Sequence, residues 1–217
     1  MILNNKTKRI IVYIVGLLIL ALGLTLNTKA SLGVSPIISV PYSISQITGL
    51  NFGDLTFIEY ALFVFVEIMI HLGEKNKKKI VADLLQLPLS LAFTRLLNIF
   101  SACIPTSSNF LVQLLILVLA IICTGIGAAM SLSMQFVPNP GDGIVQALAG
   151  KFNKSVGLTK NMFDCLSVCI TLCISLIFAH TILGIGIGTV IAVLGVGRVI
   201  ALFHHMFESQ IIELVQG

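Results

Sequence analysis

Charge is what this chain has least of. Only 10% of its 217 residues are charged, 13 Lys+Arg against 9 Asp+Glu, while 57% are hydrophobic, whereas soluble domains carry about 25% charged residues. A soluble fold of this size could not cover its surface. The basic residues do not indicate a nucleic-acid partner either, because the net charge of +4 comes from short clusters between apolar runs rather than from one polar face. Paired cysteines are also missing. Cys103, Cys123, Cys165, Cys169 and Cys173 are odd in number, four lie inside apolar runs and none forms a CxxC pair, so neither a disulfide framework nor a zinc site is indicated. Catalytic groupings are equally thin: there is no HExxH, no GxSxG elbow and no pair of aspartates resembling an intramembrane protease dyad. The expectation is a chain that is not an enzyme and holds no cofactor and no metal.

Apolar runs are abundant. Six stand out, at about residues 10–26, 55–72, 80–100, 110–134, 162–180 and 182–206, each able or nearly able to cross a bilayer that needs about 20 residues per helix. The lipid bilayer is therefore the expected partner. After the first and fourth runs come stretches rich in Gly, Pro and Ser, residues 31–53 and 138–157, too polar and broken to span.

Lysine and arginine mark the cytoplasmic side of a membrane protein. Lys6, Lys8 and Arg9 precede the first run, Lys75, Lys77, Lys78 and Lys79 separate the second from the third, and Lys151, Lys154 and Lys160 follow the fourth. Six crossings with the N-terminus inside put all three clusters on one face and both termini in the cytoplasm. Residues 101–109, then outside, carry no charge, and Lys29 is the only basic residue there. The basic start, the apolar run and Thr28-Lys29-Ala30 also resemble a cleaved secretory leader, but an internal repeat gives the first helix a counterpart and favours a retained span.

That repeat appears when the chain is slid over itself by slightly more than 100 residues. Gly53 falls on Gly157, Glu59 on Asp164, Arg95 on Arg198 and Phe100 on Phe203, and Gly33-Val34-Ser35-Pro36 lies against Pro140-Gly141-Asp142-Gly143. Each half, 1–104 and 105–217, holds three crossings, so the second enters from the opposite side. The fold class expected is an all-α integral membrane protein of six transmembrane helices, arranged as two inverted three-helix repeats within one membrane domain. Each repeat has a short re-entrant or interfacial helix at its Gly/Pro stretch, around Ser35 and Pro36 in one and Pro140 to Gly143 in the other. Inverted repeats with broken helices are a transporter architecture, and bare backbone at membrane depth is tolerated where it lines a cavity.

Ionisable side chains inside a span are costly and mark candidate sites. At 1.5 Å per residue, Glu59 and Arg95 lie roughly 10 and 8 Å below the same membrane face, and Asp164 and Arg198 share a depth near the other. Two ion pairs are expected, Glu59 with Arg95 and Asp164 with Arg198. They either pin neighbouring helices, with the arginines snorkelling outward, or guard a water-filled path. Glu67 and His71, one turn apart, and Asp83 lie close to the lysine-rich loop, where they read as interfacial anchors or as an inward extension of a proton route. Asp142 either caps a helix beginning at Ile144 or meets a cation. Cys165, Cys169 and Cys173 form a small-residue stripe suited to helix packing rather than to soft metals, and Gly184, Gly188, Ala192 and Gly195 form a matching stripe, so the two faces are expected to meet. His204 and His205 read as interface residues.

On Lys29-Ala30-Ser31-Leu32-Gly33-Val34-Ser35-Pro36, Thr48-Gly49-Leu50-Asn51-Phe52-Gly53, Pro140-Gly141-Asp142-Gly143 and Gly184-Ile185-Gly186-Ile187-Gly188-Thr189, the chain resembles the YczE/YitT-type family of bacterial membrane proteins over nearly its whole length. It is closer to the short YczE-like branch, since nothing resembles the soluble C-terminal domain of YitT-like members. The resemblance implies a multi-pass protein of the bacterial cytoplasmic membrane and no settled activity. The function expected is a permease-like transporter of a small molecule or ion; the alternative is a membrane accessory or scaffold protein. A permease should have a polar cavity between the halves lined by the Gly/Pro segments, and an accessory protein a packed centre with an exposed groove.

Overall fold

A computed structural model describes residues 5–216. It contains eight α-helices: α1 Asn5–Lys29, α2 Ser39–Thr48, α3 Phe52–Gly73, α4 Lys77–Cys103, α5 Phe110–Ser133, α6 Pro140–Phe152, α7 Val156–Ala179 and α8 Ile187–Gln216. A single 3₁₀ turn, Pro36–Ile38, leads into α2, and no strand occurs among the described residues. Helices α1, α3, α4, α5 and α7 and the Ile187–Phe207 part of α8 are each long and apolar enough to cross a membrane. The chain is a multi-pass membrane protein. Large apolar side chains accordingly cover its outside, Leu115 at 65% and Phe178 at 68% exposure among them.

Local chemistry sets where the helices begin. Asn51, Asn76, Asn109, Asn139 and Ser155 each accept a hydrogen bond from a backbone N–H in the first turn of the helix that follows, stabilising each start by about 1 kcal/mol. The Ser155 cap starts α7 at Val156, ahead of the apolar run expected from residue 162. Lys160 is thereby carried into the helix.

The antiparallel pair α1 and α5 forms the centre. A Cβ on Gly16 would lie 2.8 Å from the Ser131 nitrogen, and one on Gly127 would lie 2.7 Å from the Gly16 carbonyl oxygen. Only glycine lets the backbones approach this closely, and between lipid-bathed helices such packing replaces the hydrophobic effect as the attraction. Around this pair, α4 packs on α1 and α3, and α8 packs on α5, while α2 rests on α7 and α3, and α6 on α3 and α7. Two hydroxyl bridges, Ser39 to Thr171 and Ser43 to Ser175, both 2.7 Å, run up α2 and α7 in the same order. The two helices are therefore parallel, and each bridge contributes about 0.6 kcal/mol.

The small-residue stripes do not meet as expected. Cys165, Cys169 and Cys173 point outward, whereas Gly188 packs on Leu32 and Gly195 on Ile121. The reason lies in the backbone before α8, which is not helical until Ile187 and bonds to the segment after α1. Val34 N–H donates to the Gly184 oxygen at 2.8 Å, and Gly188 N–H to the Leu32 oxygen at 2.7 Å. Gly33, at φ 106°, has no room for a side chain, since its Cβ would sit 2.5 Å from the Gly186 nitrogen. The glycine run thus binds the chain's own backbone.

Candidate functional site

The two Gly/Pro segments meet inside the bundle. Ser35 precedes Pro36 at the start of the 3₁₀ turn, held there by its N–H donating to Asn27 Oδ1. On the other side Asn139 caps α6 by accepting from Gly141 N–H at 3.1 Å. A Cβ on Gly141 would lie 2.8 Å from Ile37, so the two segments are in van der Waals contact. The helix starts at Pro140 rather than at Ile144, and Asn139 rather than Asp142 is its cap. Asp142 falls instead in the first turn, where the positive end of the helix dipole favours a carboxylate.

Between these segments lies a cavity of about 210 Å³, lined by Ser35, Pro36, Asn139, Gly141 and Asp142 and, from α7, by Lys160, Asn161 and Asp164. Cavities of roughly 150 Å³ already admit benzene, so a solute of modest size fits. Its charges come from three side chains. Asp164 is buried, with the Lys160 ammonium one turn away at 3.5 Å from Oδ1. That oxygen otherwise has no hydrogen-bond partner. Burial pushes the Asp142 carboxyl above its ordinary value, the nearby Lys160 draws it down and Asp164 adds to the rise.

Arg198 is not the partner of Asp164. It is exposed on α8, across a cleft of about 510 Å³ that separates α7 from α8 and that both residues line. The two helices scarcely touch, and the capped start of α7 supplies Lys160 at the i−4 position instead.

Glu59 and Arg95 do not pair either. Arg95 Nη2 reaches Asp54 Oδ1 at 2.7 Å, both side chains about half exposed. Asp54 and Glu59 are separated by five positions, about 140° around a helix, so one arginine cannot serve both. Glu59 turns toward an apolar pocket bounded by Pro41, Ile44, Phe63 and Phe163, outside the central cavity, and its Oε2 is buried without a partner. Exposed ion pairs contribute about 0–1 kcal/mol. Arg95→Ala should therefore leave the thermal unfolding midpoint in detergent nearly unchanged, and a large drop would show that this pair holds α3 to α4.

A second polar cluster lies where interfacial anchors or an inward extension of a proton route were expected. Glu67, His71, Asp83 and Gln86 are all buried between α3 and α4. Gln86 Nε2 donates to Glu67 Oε2 at 2.6 Å, and His71 Nδ1 lies 2.6 Å from Asp83 Oδ2. From α6, Gly143 closes the cluster, its position leaving a Cβ only 2.7 and 2.9 Å from the two Glu67 oxygens. The signal was present in the spacing, since Glu67 and His71 share one helix face at i,i+4 and Asp83 and Gln86 another at i,i+3.

Residues 7–205 match DUF6198, described as a family of unknown function. No curated protein and no solved structure matches the chain.

Proposed function

The chain belongs to the DUF6198 family, and from its own geometry we propose that it is a permease-like transporter of a small molecule or ion. The observation that carries this reading is the cavity between α1, α3, α5, α7 and α8, to which both Gly/Pro segments contribute their helix-starting turns. Its charged lining, Asp142, Asp164 and Lys160, has one more acid than base, which suits a small cationic or zwitterionic solute.

The contacts support two inverted three-helix repeats, residues 1–104 and 105–217. Helix α2 rests on α7 and α3, as α6 rests on α3 and α7; α4 packs on α1, as α8 packs on α5. Corresponding residues stand 104 positions apart: Pro36 and Pro140 open the broken helices, Ser39 meets Thr171 where Gly143 meets Glu67, and Tyr60 takes the place of Asp164. In this register Asp164 matches Tyr60 rather than Glu59. Helices α2 and α6 are read as re-entrant, each starting at the cavity and running back to the end of the bundle where α3 or α7 begins. The bilayer is the bacterial cytoplasmic membrane, as for the YczE-like proteins that the chain resembles. Both termini are cytoplasmic, because Lys6, Lys8 and Arg9, Lys77 to Lys79, and Lys151 and Lys154 gather at the same end. The cleft between α7 and α8 favours a second reading, an accessory protein that docks a helix of another membrane protein there.

Uptake into proteoliposomes across a panel of small cations and zwitterions tests the proposal. Asp164→Asn should lower uptake about tenfold or more, equivalent to at least ~1.4 kcal/mol, whereas Glu59→Gln, outside the cavity, should leave it within about twofold. Uptake indifferent to Asp164→Asn and Lys160→Gln would remove the cavity from the path. If no solute enters while a membrane protein co-purifies and is lost when Leu194 is replaced by Trp, the accessory reading stands instead.

A further inference from the structure

The buried cluster of Glu67, Gln86, Asp83 and His71 has more acceptors than donors. Glu67 is 1% exposed, and its Oε1 has no hydrogen-bond partner; neither does Oε1 of Gln86, also 1% exposed. Both oxygens face one point, the space over Gly143, where a Cβ would lie 2.9 Å from the first and 3.0 Å from the second. The Asp83 carboxylate lies beside Glu67 from α4. Two carboxylates that approach inside a protein have no donor between them unless one carries a proton. An orphaned buried acceptor is destabilising, and one added hydrogen on Glu67 supplies the missing donor. Among the described residues no group of three His, Cys, Asp or Glu gathers as metal ligands. A single hydrogen between the Oε1 atoms of Glu67 and Gln86 satisfies both acceptors.

We propose that Glu67 is a proton-binding site that couples the lysine-rich end of the bundle to the central cavity through α6. The groups facing it are Asp83 and Gln86 from α4, His71 one turn along α3, and Gly143 from α6; the nearest acid on α6, Asp142, lines the cavity instead. On release the proton passes from the Glu67 carboxyl to the Asp83 carboxylate, which is bonded to His71 Nδ1, and leaves at the end of α3. Glu67 lies six residues from that end, about 9 Å. Coupling follows from adjacency: Gly141 and Asp142 form the cavity wall, and Gly143, in the same turn, covers the carboxyl. This rests on the permease reading for what is coupled, but not for the binding of the proton.

The test is an infrared pH titration of the full chain in detergent, followed in the carboxyl C=O stretch, with transport measured separately. The difference between wild type and Glu67→Gln should contain one titrating protonated-carboxyl band, displaced when Asp83 is replaced by Asn. The glutamine variant keeps shape and hydrogen-bonding capacity, so its unfolding midpoint should stay close to wild type. Identical spectra for wild type and Glu67→Gln would overturn the site. So would a band that is lost only with an equal loss of folded protein in both Glu67→Gln and Glu67→Ala. In proteoliposomes an imposed pH gradient should drive wild-type uptake and leave Glu67→Gln with gradient-independent equilibration only. Driving by Na⁺ alone would overturn the coupling. A titrating band without any uptake would overturn the permease reading and leave the site standing.

Discussion

Gly127→Val is expected to drive α1 and α5 apart and to lower stability by about 3 kcal/mol or more. A Cβ at this position would meet the Leu20 nitrogen and, at 2.7 Å, both the Gly16 oxygen and the Leu20 Cα. All three are backbone atoms, so no change of rotamer relieves the clash. Overpacking of a core by a side chain usually costs about 1–3 kcal/mol, and here the strain falls on the crossing that joins the two halves. The readout is the thermal unfolding midpoint in detergent, reported by a thiol-reactive dye on the half-buried Cys123 with the four exposed cysteines replaced by serine. Gly150→Ala is the control, because a Cβ there meets nothing within 4 Å and alanine is favoured over glycine in a helix by roughly 0.5–1 kcal/mol. If the valine variant melted with the control, the α1–α5 contact would not be the keystone it is taken for.

Gly143→Ala is expected to separate folding from transport. Its Cβ would press on both Glu67 oxygens and on Gln86 Oε1, at 2.7 to 3.0 Å. These are ends of side chains rather than backbone, so the protein can fold around the methyl group. The cost is either the Gln86 to Glu67 hydrogen bond, leaving a buried acceptor unsatisfied at about 1–3 kcal/mol, or a displaced α6. Either change reaches the cavity through Gly141 and Asp142. Uptake should fall by about tenfold or more while the midpoint falls less than with Gly127→Val. Wild-type uptake by Gly143→Ala would show that the first turn of α6 does not transmit the state of Glu67.

The six spans and the two broken segments were legible in the sequence because hydrophobicity and Gly/Pro content are local properties. The ion pairs were not. Depth along a helix follows from counting residues, but azimuth does not: Glu59 and Arg95 share a height, yet Arg95 turns to Asp54, about 140° away around α3 from Glu59. Helix starts misled in a second way. In the sequence Lys160 belongs with the basic cluster after the fourth run, whereas the Ser155 cap winds it into α7 beside Asp164. Glu67, His71 and Asp83 lie near a charged loop in the sequence, which suits interfacial anchors as well as an inward proton route. Proximity in sequence to an aqueous loop says little about burial when a third helix, here α6, covers the face.

The two backbone hydrogen bonds between residues 32–34 and 184–188 also order the life of the chain in time. The segment after α1 is made well before its partners, which follow α7 and lead into α8. Until then the amide of Val34 and the carbonyl of Leu32 lack the partners that they have in the folded chain. A ribosome that has delivered only the first three crossings has therefore delivered an unfinished object, because the segment that closes the first half precedes α8.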